Sequence, residues 1–398
     1  MLAALFFLAL SYQEAAEDTN RRIETDIVVI GKRLSDAGDE LEDCIKRKCP
    51  TDQDVAATIK VVEMQFLAGE YRGARETLRR SIGRNAKQAK AYPLPVAALW
   101  RSKARVDTHL GEYEDFRSGA IQSYRVLKNG LPADDPNVLG GLIELGDAQF
   151  QLGYWIYAEE HYTDAIARAA QANNHQIEAI ARYRLAGVIA RRNPNGPSSG
   201  DEKEVAKILA PLIGSSDPVF ARFDFIARLY KARLAEKRGA KGAVDGVFAS
   251  LPKGLTPPPI LLSSTPIKLV SFAASGCAEN VANPNSLACD NPRDMVSLID
   301  VENQWIDVGF LIDPAGSVRD IEIVRKSAKF AGDWGERVTK SIASRRYTPS
   351  PLATNTDTQG RYRIERFTLT APFITISGSR LRVRSINATI ATMDLTPG

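Results

Sequence analysis

The stretch "LGYWIYAEEHY" (Leu152–Tyr162) decides how most of this chain is read. It has visible relatives upstream in "AGEYRGARETL" (68–78) and "LGEYEDF" (110–116). The glycines at the centre of the three are Gly69, Gly111 and Gly153, and the same period reaches Gly196 and Gly239. Successive spacings are 42, 42, 43 and 43 residues. A fixed period of this size is the mark of a solenoid built from helical hairpins. Each glycine is expected in the turn between two helices, where a residue without Cβ is easily held.

The third unit shows the packing logic. Leu142, Leu145 and Gly146 fall on a first helix, Phe150 follows, and Trp155, Ala158, Tyr162 and Ala165 run down a second. Small residues let the helices approach and large ones fill the gaps, so Trp100, Tyr124, Phe150, Trp155 and Tyr162 are expected as inter-helix core. The period also suits HEAT-type repeats. The Gly-x-Tyr turn followed by small and aromatic positions resembles the tetratricopeptide repeat. The repeats are expected over 54–252, as a superhelix whose surface binds proteins or peptides.

The 398 residues allow more than one domain, with 44% hydrophobic and 25% charged residues. A net charge of +4 with no long run of one sign gives no basis for nucleic-acid binding. The apolar block from Leu2 to Leu10 is shorter than the roughly 20 residues of a bilayer span. With Ala9-Leu10-Ser11 at its end supplying small residues at the −3 and −1 positions, residues 1–11 read as an imperfect signal peptide that lacks a basic start. Cys44 with Cys49 and Cys277 with Cys289 form two local pairs, which suits disulfides in an oxidising compartment. Neither pair has the CxxC spacing of a zinc site. These features point to the periplasm.

Proline-rich "SLPKGLTPPPILLSSTP" ends the helical pattern, and 253–300 is expected as a linker and cysteine-held loop. "WIDVGFLIDPAGSVRDIEIVRKS" (305–327) reads as a hairpin: Ile306, Val308, Phe310 and Ile312 alternate, Asp313-Pro314-Ala315-Gly316 turns, and Ile321 and Ile323 alternate on the return. Phe330, Trp334, Val338 and Ile342 form a helical stripe. In "GRYRIERFTLTAPF", Tyr362 and Ile364 point one way and Phe367, Leu369 and Ala371 the other. That switch implies a bulge near Glu365 or Arg366, or a strand buried on both faces. Strand, strand, helix, strand over 301–373 gives an α+β domain with an antiparallel sheet and one packed helix.

This hairpin, helix, "YTPS" and final strand resemble the C-terminal domain of the TonB energy-transducer family. The resemblance implies capture of an extended peptide by strand addition, at an edge offered by Tyr362, Arg363, Ile364, Arg366, Thr368 and Thr370. It also implies an outer-membrane receptor or a TonB-like protein as partner. "TDIVVIGKRL" (25–34) reads as a strand, and Asp26, Ile27, Val28, Val29 and Ile30 resemble a TonB box. Its expected neighbour is the chain's own sheet, another copy in a homodimer, a TonB-like partner, or the first helices. Unlike a transducing TonB, the chain shows neither a full membrane span nor a long proline-rich spacer. The extension 374–398 offers further strands in "RLRVRSINATI" that would cover the edge and leave a structural scaffold. Arg380, Arg382 and Arg384 alternate and read as a solvated sheet face. No catalytic motif, metal-ligand spacing or cofactor loop occurs, and His161 reads as a solvated helix residue. An interaction protein is expected, not an enzyme.

Overall fold

The structure is a computed structural model that describes residues 26–193, 196–250, 259–267, 269, 277–279, 287–289, 301–349, 360–375, 380–385 and 387–396. Residues 1–11, expected as a signal peptide, and most of the expected linker lie outside them. The helical part begins with α1 (Asp26–Lys46). It continues through α2 (Thr51–Leu67) with α3 (Tyr71–Asn85), α4 (Pro93–His109) with α5 (Tyr113–Gly130), and α6 (Pro136–Gln151) with α7 (Trp155–Gln171). Then come α8 (His175–Ile189) with α9 (Ser199–Leu209), and α10 (Pro218–Lys237) with the short α11 (Ala243–Ala249). Gly69, Gly111, Gly153, Gly196 and Gly239 each stand between two helices with φ from +72° to +100°.

Close approach at the third hairpin comes from its small residues. A Cβ at Gly146 would lie 2.7 Å from Tyr162 Cε1. Ala158 and Ala165 are fully buried beside that ring. Tyr162 Oη donates to Asp147 at 2.5 Å, so the buried hydroxyl is satisfied.

Residues Asp26–Ile30 are helix, not the expected strand. Leu34, Ala37 and Leu41 pack on Ala57 and Val61 of α2, which commits this segment to a helix. Extending it back through the β-branched run costs only a few tenths of a kcal/mol per residue in propensity, while each residue gains a helical hydrogen bond. The TonB-box-like segment is therefore the start of α1. Cys44 and Cys49 are disulfide-bonded across the α1–α2 turn.

The C-terminal part holds β1 (Leu261–Ser263), β2 (Cys277–Glu279), β3 (Leu287–Cys289), β4 (Gln304–Ile312), β5 (Val318–Lys326), α12 (Trp334–Ala343), β6 (Arg346–Tyr347), β7 (Arg361–Thr370), β8 (Phe373–Thr375), β9 (Arg382–Arg384) and β10 (Thr389–Asp394). Cys277 and Cys289 face each other in the β2–β3 register. The main sheet has the order β10-β7-β4-β5, with antiparallel neighbours. Two features differ from the expected boundaries. Leu261, Ile267 and Leu269, assigned to the linker, pack on this domain, and β1 pairs with β6. The extension supplies β9 and β10, so it is part of the domain.

Ile306, Val308, Phe310, Ile312, Phe367 and Leu369 meet Trp334, Val338 and Ile342 of α12 in one core. The β4–β7 register runs without a shift, so the apparent change of face in β7 is not a bulge. From Glu365 to Thr370 the strand is buried on both sides. The bulges are in β5 instead, around Asp320–Ile321 and Val324, and they leave Ile323 41% exposed while Ile321 packs inward. Phe310→Ala is expected to cost about 3–5 kcal/mol in urea unfolding. A loss below about 1 kcal/mol would contradict this core.

Candidate functional site: the sheet seated on the helical turns

The second face of the sheet lies on the first two hairpin turns, and Arg366 of β7 is at the centre of the contact. Its guanidinium makes a two-pronged pair with Asp307 of β4, at 2.6 and 2.9 Å. It also donates to Phe66 O and, at 2.8 Å, to Leu67 O, the closing carbonyls of α2. That helix has no basic residue in its own last turn. Arg366 thus supplies both the missing donors and the favourable charge at the negative end of the dipole. Trp305 covers the guanidinium at 3.9 Å. Arg325 adds a second cation to Asp307 at 2.7 Å. Both Arg366 and Asp307 side chains are fully buried. Burial alone would lower the Arg366 pKa, but the hydrogen bond and charge of Asp307 hold it above the usual value.

The glycine of the first turn has a second use here. A Cβ on Gly69 would fall 1.9 Å from Trp305 Nε1, so the indole lies directly against the backbone. Beyond it, Thr368 Oγ1 is 3.0 Å from Tyr71 Oη and 2.8 Å from His109 Nδ1. Phe66, Tyr71 and His109 form an aromatic triad with centroids 4.8–5.2 Å apart. Burial, and then the charge of Arg366, push the His109 pKa down to about 3, so the ring is neutral.

The second turn repeats the arrangement. A Cβ on Gly111 would lie 2.2 Å from Ala371 O, and Phe373 N donates to Gly111 O at 3.2 Å. Arg384 Nη1 donates to Leu110 O at 3.2 Å, next to the C-terminal end of α4. Arg382 pairs with Glu112 at 2.6 Å, and Tyr113 Oη is 2.9 Å from Thr389 Oγ1. The tyrosine of each Gly-Glu-Tyr turn therefore meets a sheet threonine. Arg75 ties the two hairpins together through Asp107, Glu112 and Asp115 at 2.7–3.1 Å. Burial raises the Asp107 pKa to about 6, against the pull of Lys103 and Arg75.

Among the described residues, nothing rests on the third turn. No atom lies within 4 Å of a Cβ placed on Gly153. Ile156 is 72% exposed and Tyr157 50%. Tyr154 is 37% exposed, with Arg117 over its ring at 4.9 Å.

The expected edge strand is an inner strand. β7 lies between β10 and β4, so from Glu365 to Thr370 it has a neighbouring strand on both sides, while Arg361–Arg363 are in register with β4 alone. Arg366, Thr368 and Thr370 are brought together, but against the helices. Tyr362 Oη donates to Glu322 at 3.1 Å, Arg363 pairs with Asp394 at 3.1 Å, and Ile364 N donates to Thr396 Oγ1 at 3.1 Å. Arg382 and Arg384 are not a solvated face; both lie over Phe373 and bond the second turn. Sequence reasoning missed Trp305, Asp307, Tyr71 and His109 as contact residues. The only signal for them was the switch of face in β7. Among the described residues there is no cluster of three metal-ligating side chains, and no helix is long and apolar enough to cross a membrane.

No family model matches the chain, and no curated protein matches it. Solved structures with tetratricopeptide-like repeats are similar to it. A kinesin-light-chain protein of Podosopora anserina with nearly identical repeats is 17% identical, over 49% of this chain and 92% of that one, with a TM-score of 0.38. BtubC of P. vanneervenii is 17% identical over 61% and 99%, with a TM-score of 0.41. A signal-transduction ATPase with a tetratricopeptide repeat sensor from Pyrococcus horikoshii is 14% identical over 55% and 33%, with a TM-score of 0.40. These likenesses are remote, and the helical half is described by its own hairpins.

Two outcomes follow from the seat. Arg366→Met leaves Asp307 buried with only Arg325 and frees two helix carbonyls, and should cost about 3–5 kcal/mol in urea unfolding. A cost under about 1 kcal/mol would show that the sheet is not held here. His109 has a folded pKa of about 3, well below the value of about 6.5 expected when unfolded. Its contribution is complete above the unfolded value and declines as pH falls towards 3, because the unfolded chain takes the proton first. Asp107 and Asp147, both raised to about 6, act with the opposite sign and favour the fold below that pH. The test is therefore the difference in stability between wild type and His109→Gln. It should be flat above pH 7 and shrink in acid by up to about 1.4 kcal/mol per pH unit. A constant difference would mean that the ring is not buried neutral.

Proposed function

We propose that this protein is a protein-binding scaffold of the periplasm, with a TonB-like C-terminal domain that serves as a fixed brace on the helical array. The observation that carries this reading is the uncovered third turn. Gly153 has the left-handed backbone of Gly69 and Gly111, at φ +80°, but Tyr154, Ile156 and Tyr157 stand in solvent where the first two turns hold the sheet. Tyrosines, an apolar side chain and an arginine in one patch are the composition of interface hot spots.

The occupant is an extended segment of another envelope protein. The second turn supplies the template, because Ala371-Pro372-Phe373 crosses it in extended form and Phe373 N bonds Gly111 O. Peptide capture is thereby assigned to the array and not to β7. The terminal strands of the sheet are β10 and β5, and β5 is a poor site for strand addition: it is bulged twice and carries Arg319, Asp320, Glu322, Arg325 and Lys326. The Cys44–Cys49 disulfide supports an oxidising compartment.

Labelled peptides give the test. One copies residues 369–375, and another residues 25–34; both are titrated against the full chain by fluorescence anisotropy. Saturable binding of an extended peptide that falls at least tenfold in Ile156→Asp is the expected result. Absence of binding, or binding untouched by Ile156→Asp, would remove the third turn as the site.

A further inference from the structure

Three cations gather where the fourth and fifth hairpins meet. Arg191 follows the end of α8, Arg233 lies in the last turns of α10, and Lys237 closes that helix. The rings of Tyr183 on α8 and Tyr230 on α10 meet edge to face at 5.6 Å. Gly187 lies beside Arg191 and Tyr230: a Cβ there would lie 3.4 Å from Arg191 Nη1 and 4.0 Å from Tyr230 Oη, and Arg233 and Lys237 follow Tyr230 at successive turns of α10.

Both arginines are anchored by carbonyls and not by acids. Arg191 Nη1 donates to Gly187 O at 3.2 Å, with its guanidinium 5.7 Å from the Phe150 ring. Arg233 donates through both Nη atoms to Leu261 O and Leu262 O of β1. Among the described residues none of the three cations sits in an ion pair. Neighbouring arginines differ sharply. Arg184 pairs with Asp147 at 3.3 Å, and Arg192 with Glu159, Asp201 and Glu204. The acid that acts on Arg233 is Glu236, whose Oε1 accepts from Val244 N at 3.0 Å.

Like charges held together cost folding energy. Burial, followed by the charges of Arg191 and Arg233, holds the Lys237 ammonium below its usual pKa. Sealing the carbonyls of β1 accounts for Arg233, but it does not account for placing Lys237 beside it. Charge conflict without a structural gain marks functional positions.

We propose that Arg191, Arg233 and Lys237 form a binding site for a phosphate group. A dianion matches three positive charges better than a single carboxylate does. Among the described residues each guanidinium keeps N–H donors without an acceptor, which suit phosphate oxygens. The Tyr183 and Tyr230 rings wall the site. Because Arg233 also holds β1, a bound phosphate lies at the contact between the last hairpins and the C-terminal domain, far from the third-turn patch in role and in residues.

The test is calorimetric titration of the full chain with inorganic phosphate, with acetate and chloride at equal ionic strength as controls. Saturable one-site phosphate binding is expected, and Lys237→Gln or Arg191→Gln should weaken it roughly tenfold each. Lys237 is exposed and makes no hydrogen bond or ion pair among the described residues, so its replacement leaves the fold intact; a melting curve checks this. Flotation with phosphatidylglycerol vesicles separates a lipid source from a soluble one, and binding there must also be lost in Lys237→Gln. The proposal fails if neither phosphate nor the vesicles bind beyond the controls, or if both variants bind as wild type does.

Discussion

Arg366 cannot be buried without its partners, and the rest of the arrangement follows from that constraint. A guanidinium without water needs an acid and several acceptors. Asp307 supplies the acid from the neighbouring strand, and Phe66 O and Leu67 O supply acceptors from a helix end. Those carbonyls lie about 300 residues away in sequence, so the bond can form only with the sheet pressed on the first turn. Once it is there, β7 has strands on both sides and helices beneath it, and it is not an edge of the sheet.

The repeat period then acquires a second meaning. Gly69 and Gly111 are needed at the turns for their left-handed backbone, and again because a sheet residue rests on each of them. Trp305 occupies the first position and Ala371 the second. Gly153 shares only the first requirement. The helical array thus presents one ridge of similar turns, part of which is taken by the chain's own domain and part of which is free. A scaffold in which the C-terminal domain is a brace fits this division.

The local patterns were legible because they repeat within reach of a few residues. The glycine spacing fixed the hairpins, and the alternation Ile306, Val308, Phe310, Ile312 fixed the core face of β4. The change of face after Ile364 carried real information about two-sided burial, but it did not say what lies on the second side. Nothing in the order of residues pairs Arg366 with Phe66 O. Arg382 and Arg384 illustrate the same limit: an alternating basic strand looks solvated until its partners, a carbonyl and Glu112, are placed against it. Asp26–Ile30 failed for the opposite reason. Its β-branched composition was weighed alone, while the stripe Leu34, Ala37, Leu41 immediately after it decided the helix.

Hydrogen exchange of the intact chain, read by mass spectrometry, tests the seat most directly. The account predicts that amides of 361–370 and 389–394 are protected to the same free energy as those of 51–67 and 93–109, because sheet and first hairpins open together. Rapid exchange of the sheet while the helices stay protected would contradict it: the domain would then leave the turns freely, and an exposed edge would return as the mode of binding.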